Sequence, residues 1–201
     1  MRNLIITLSL LLLLLLITTS CSSDDDVNSC APIECLNGGL KTDDCGCDCP
    51  DGYTGSDCSS QLIPKSIRIL RLNVKKFPNT KENGNLWDEV AIGSATNPDL
   101  QLDIRNSSDE IIYSSEVLDN RISSGNCDDE NYFYPNTLIV GSEVTSPLDF
   151  ILYDEDTTGW EILGGGADVV LYTSDNNFPN TLVLGECSGF GFIEIDVEYT
   201  W

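Results

Sequence analysis

The sequence predicts an all-β protein in two folded parts, a small disulfide-rich module followed by an antiparallel β-sandwich. Three observations predict this. Six cysteines (Cys30, Cys35, Cys45, Cys47, Cys49 and Cys58) crowd into a stretch too short to bury an apolar core. From about Ile63 onward, runs of β-forming residues alternate with polar ones and are separated by Gly, Asn, Asp and Pro. No segment of this second part carries an apolar stripe at helical spacing.

Residues 1–20 read as an export signal. Arg2 is the only positive charge ahead of an apolar run from Leu4 to Ile17. That run is shorter than the roughly 20 residues a spanning helix needs. Thr18-Thr19-Ser20 then leads to Cys21, which resembles the lipobox of bacterial lipoproteins, with Thr18 where that family usually has Leu. The resemblance implies cleavage before Cys21, lipidation of Cys21 and attachment to a membrane through that lipid. Residues 21–29 form an acidic tether. Ser22-Ser23-Asp24-Asp25-Asp26 is similar to the export signal that sends lipoproteins of some Gram-negative bacteria to the outer face of the outer membrane. It implies a lipid-anchored, surface-exposed protein of the outer membrane. Without the resemblance, an ordinary cleaved signal and a solvated charge run account for the same residues.

Charge and composition narrow the function. The chain has 10 Lys and Arg against 33 Asp and Glu, and no histidine. Such a surface repels phosphate backbones, so no nucleic-acid partner is expected, whereas divalent cations are tolerated or recruited. Lack of histidine removes the commonest general base, the Ser-His-Asp arrangement and imidazole zinc sites. A carboxylate-based hydrolase stays open in principle, but no motif singles out a catalytic pair. No enzymatic activity is expected.

The cysteine-rich stretch, residues 30–59, is built around two glycine turns. Asn37-Gly38-Gly39 supplies positive φ at one turn, and Gly52 and Gly55 allow a second around Tyr53. Cys35-Leu36-Asn37-Gly38-Gly39, the Cys47-Asp48-Cys49 pair and Gly52-Tyr53-Thr54-Gly55 before Cys58 together resemble an epidermal-growth-factor-like domain. Six cysteines allow 15 pairings. The resemblance implies Cys30–Cys45, Cys35–Cys47 and Cys49–Cys58. Only Gly46 separates Cys45 from Cys47, where calcium-binding members carry Asp or Asn. This copy therefore reads as a spacer or interaction module that binds no calcium. Two isolated cysteines, Cys127 and Cys187, are expected to pair in an oxidising compartment.

Residues 63–201 are expected to form the sandwich. Strands are predicted over 66–74, 99–104, 110–114, 137–140, 148–153, 168–172 and 192–199. Leu163, Val169, Leu171, Ile193, Ile195 and Val197 are candidate core. A short recurrence, Phe77-Pro78-Asn79-Thr80, Tyr134-Pro135-Asn136-Thr137 and Phe178-Pro179-Asn180-Thr181, reads as repeated turn-to-strand chemistry rather than an internal repeat, because its spacing is uneven.

Two acidic segments carry the candidate site. Leu148 to Tyr153 runs into Asp154-Glu155-Asp156, and Glu161-Ile162-Leu163-Gly164 follows. Asp88 closes a loop after the first strand, and Asp99 opens the next strand. The D-x-D element, the acid before an apolar residue and glycine, and the two earlier aspartates resemble the calcium-binding loops of C2-type domains. The resemblance implies calcium held by Asp88, Asp99, Asp154 and Asp156, with Glu161 in support. By residue type alone, these acids also fit turn caps. Calcium takes six to eight oxygens, which carboxylates from two adjacent loops could largely supply. The expected function is a non-enzymatic surface binding or adhesion protein, calcium-dependent, with an extracellular protein or glycan as ligand. The alternative is a carbohydrate-binding accessory lipoprotein of a glycan-uptake system, with Trp87 and Trp160 as stacking platforms or as packing residues.

Overall fold

A computed structural model describes residues 33–88, 97–135, 138–141, 143–156, 159–189 and 191–201. The export signal, Cys21, the acidic tether and Cys30 lie outside the described residues. The protein is all-β, a small disulfide-rich module followed by an antiparallel sandwich.

The module is two minimal ladders. β1 (Leu40–Lys41) pairs with β2 (Cys47–Asp48), and β3 (Tyr53–Thr54) pairs with β4 (Ser60–Gln61). Two-residue strands cannot hold a fold by pairing alone. Cys35 is bonded to Cys47 and Cys49 to Cys58, with Cα atoms 5.7 and 5.4 Å apart. Cys45 is also in a disulfide; Cys30, its expected partner, is not among the described residues. Gly52 and Cys58 are the buried residues here, while Leu40 is 70% exposed.

The sandwich has two sheets. One has the order β11–β10–β6–β7, from β6 (Leu100–Arg105), β7 (Ile111–Ser114), β10 (Leu148–Asp156) and β11 (Gly159–Val169). The other has the order β12–β13–β5–β8, from β5 (Ser66–Lys76), β8 (Tyr132–Phe133), β12 (Thr181–Gly185) and β13 (Phe192–Thr200), with β9 (Ile139–Val140) also on β5. Ile67, Leu72, Leu102, Ile104, Phe133, Phe150 and Ile195 form the centre of the core between them. The Cys127–Cys187 disulfide ties the segment before β8 to the turn between β12 and β13.

Strand β5 shows why alternation is clear only in its first half. Ile67 and Ile69 face the core, but further along the buried apolar residues are Leu72 and Val74. Against β13, Ile69 faces Val197 and Arg71 faces Asp196, which leaves Leu70 as an extra residue. That bulge moves the inward face from odd to even positions.

Three strands depart from the sequence expectation. The predicted strand over 168–172 is displaced: β11 covers Gly159–Val169, Asp168 has a φ of 55°, and Leu171 and Tyr172 are buried outside any strand. β11 passes through Gly164-Gly165-Gly166, because pairing with β10 supplies the order the side chains do not. A Cβ on Gly165 would lie 1.9 Å from the Phe150 carbonyl oxygen, so close pairing there requires glycine. β8 and β12 were not expected. Of the candidate core, Leu163, Leu171, Ile193, Ile195 and Val197 are buried, and Val169 packs at the core's edge.

The module docks on the sandwich through aromatic rings. Phe178 packs against Tyr53 of the module at 5.3 Å between centroids, and against Tyr172, Tyr199 and Trp201 of the sandwich. A Cβ on Gly52 would lie 2.7 Å from Trp201 and 2.8 Å from Phe178. Phe178 itself has a φ of 51°, an unusual conformation for a bulky side chain, and it lies packed among these rings.

Candidate metal centre

Strand β10 delivers the first two carboxylates. Leu148, Phe150 and Leu152 face the core, and the register with β6 runs unbroken from Asp149 to Asp154. Side chains alternate along a strand, so Asp154 and then Asp156 continue the core-facing row past its last leucine. The D-x-D element is therefore the end of a strand, not the loop that the sequence suggested.

Asp88 arrives from the other sheet. After β5 the chain makes a compact turn: the Gly84 amide donates to the Lys81 carbonyl, and the Lys81 amide donates to that of Asn85. Trp87 is buried, and its indole N–H donates to the Pro78 carbonyl at 2.8 Å. This pins the loop and sets the next residue, Asp88, over the end of β10. Carboxylate oxygens of Asp88, Asp154 and Asp156 all lie within 4.8 Å of one another.

The other two candidates stand at the edge of this cluster with their carboxylates engaged. Asp99 accepts from the Asn120 amide, and its own amide donates to Asp154 Oδ1 at 2.7 Å. Glu161, directly opposite Asp154 in the β10–β11 pairing, is salt-bridged to Lys81. Lys81 in turn lies 5.7 Å from the centre of the Trp87 ring. The sequence reading missed Lys81, whose only signal was a lone cation in an acidic loop.

The electrostatics of the cluster follow from burial. Asp154 is fully buried, and its Oδ2 has no hydrogen-bond partner among the described residues. Burial pushes its pKa up to about 6, against the hydrogen bond from Asp99, with the charges of Asp156, Asp99 and Glu161 adding to the rise. Asp88 is pushed up to about 7, first by burial, then by a hydrogen bond to Asp156, then by the charges of Asp154, Asp156 and Asp99. Three carboxyl groups this close cannot all ionise without a compensating cation. The donors are all hard oxygens, which suits calcium or magnesium and not a soft metal.

The chain matches no known family model, and no curated protein matches it.

Proposed function

We propose that this chain is a lipid-anchored cell-surface protein whose sandwich binds calcium and, with it, an extracellular protein or glycan. In this reading Cys21 carries the lipid, residues 21–29 are the tether, and the growth-factor-like module spaces a C2-type sandwich from the outer membrane. No reaction is assigned to it. The observation that supports the metal reading is Asp154: a fully buried carboxylate with an oxygen that has no hydrogen-bond partner among the described residues, facing two further carboxylates. An orphaned buried oxygen is costly, and a cation relieves both that cost and the mutual repulsion. Asp88, Asp154 and Asp156 are the direct ligands in this reading, with Asp99 steadying Asp154.

Calcium that binds only the folded state should raise the melting temperature with concentration. The test is thermal unfolding of the exported chain across micromolar to millimolar calcium. A rise in wild type that is absent from the Asp154→Asn, Asp156→Asn double variant supports the reading. A melting temperature indifferent to millimolar calcium refutes it.

One observation favours the glycan alternative in part. Trp160 is 62% exposed and packs edge-on against Tyr153 at 5.0 Å, a geometry open to sugar stacking. Trp87 is buried and does not serve as such a platform. Glycan-array binding, with and without chelator, separates a calcium-dependent ligand from stacking on Trp160 alone.

A further inference from the structure

We propose that Lys81 is a tethered competitor for the divalent ion: it holds Glu161 out of the aspartate cluster, and the ion takes Glu161 from it. This rests on the calcium reading above and adds to it how Glu161 is withheld and recruited, and the residue that sets affinity.

The backbone puts Glu161 within reach of the cluster. It faces Asp154 directly across the β10–β11 pairing. Directly opposed residues project to one side of the sheet with Cβ atoms roughly 4.5–5.5 Å apart. Its carboxylate is nevertheless bonded to the Lys81 ammonium. Lys81 is steadied from its other side by the 81–85 turn and the Trp87 ring. The same ammonium also interacts with the charges of Asp154 and Asp156, so it already sits in the field that would draw a metal ion. The buried Asp154 Oδ2, without a hydrogen-bond partner among the described residues, marks where that field is least satisfied.

A divalent ion among Asp88, Asp154 and Asp156 repels the ammonium and attracts Glu161 more strongly than one positive charge does. Glu161 then turns to the ion, which needs more oxygens than three aspartates readily supply. Lys81 has somewhere to go. Beside it opens a cleft of about 940 Å³, walled by Phe77, Trp87, Ile162 and Ser188. A built-in competitor of this kind weakens affinity, which suits a site outside the cell, where calcium is millimolar and sites bind it at about 10⁻⁴–10⁻³ M.

Calorimetric calcium titrations test this on the exported chain. Lys81→Met keeps the stem against Trp87 and removes the charge; it should tighten binding by about tenfold. Lys81→Arg should stay near wild type. Adding Glu161→Gln to Lys81→Met should lose much of the gain. Wild type that binds calcium while Lys81→Met binds equally or more weakly overturns the proposal and leaves the calcium reading standing. No binding by either protein overturns both. A second readout needs no variant: calcium should increase labelling of Lys81 by an amine-reactive ester, and unchanged labelling of calcium-loaded protein counts against release of the lysine.

Discussion

The module and the sandwich use the same covalent device for opposite reasons. In the module, disulfides replace a core: most side chains between residues 33 and 61 are exposed, and the bonds close short loops of 9 and 12 residues. In the sandwich, a continuous apolar core already exists, and the Cys127–Cys187 bond spans 60 residues at its periphery. Stabilisation by a cross-link grows with the loop it closes, while the structural consequence of losing it depends on what else holds the region. The larger free-energy term therefore belongs to the region that needs it less.

Removing each bond separates these two quantities. Cys127→Ser with Cys187→Ser should cost about 4 kcal/mol in chemical denaturation, yet leave the sheets folded. Cys49→Ser with Cys58→Ser should cost only about 2.5 kcal/mol. That smaller loss should abolish protease resistance between residues 33 and 61, because no core remains to hold the segment. A module that stays protected without Cys49–Cys58 would show that docking, not cross-linking, maintains it.

Docking can be attacked directly. Gly52 has a φ of 88° and is pressed against Trp201 and Phe178. Gly52→Ala should cost about 2 kcal/mol through backbone strain and overpacking, and should expose Trp201 to solvent quenching. If tryptophan quenching and stability are both unchanged, the two regions are less tightly joined than the ring contacts indicate.

The smallest effect should come from the acidic end of the sandwich, whose three-carboxylate cluster has no counterpart among the described residues of the module. The carboxyls of Asp88 and Asp154, ordinarily near 3.8, are raised to about 7 and about 6 in the folded protein. Between these limits the folded protein holds more protons than the unfolded chain. Their contribution to stability is therefore fully present below about pH 4 and is lost as pH rises through about 6 to 7. The facing charges of Asp99 and Asp156 raise both carboxyls, and Glu161 also raises Asp154, while the Asp99 amide hydrogen bond opposes the rise at Asp154; Lys81 is the one cation facing the cluster among the described residues. Without calcium, the melting temperature should fall by a few degrees from pH 5 to pH 8. Asp88→Asn should flatten most of that fall, and a profile equally steep in the variant would locate the titration elsewhere.

What the sequence determined by itself is whatever rests on local spacing. The all-β class was legible from period-two runs and turn residues, and Phe192–Tyr199 shows why: the strand's own alternation specifies which face is apolar. The D-x-D spacing likewise puts Asp154 and Asp156 on one face of any strand that contains them. Tertiary structure decided the rest, because the deciding forces come from residues distant in the chain. The bulge at Leu70 exists only against β13, and the glycine run of β11 is ordered only by β10. Asp88 joins Asp154 and Asp156 because Trp87 is buried, and Glu161 meets Lys81 from β11, in the sheet opposite β5. Burial and long-range electrostatics gave those carboxylates their character, and neither is a property of a residue or its sequence neighbours.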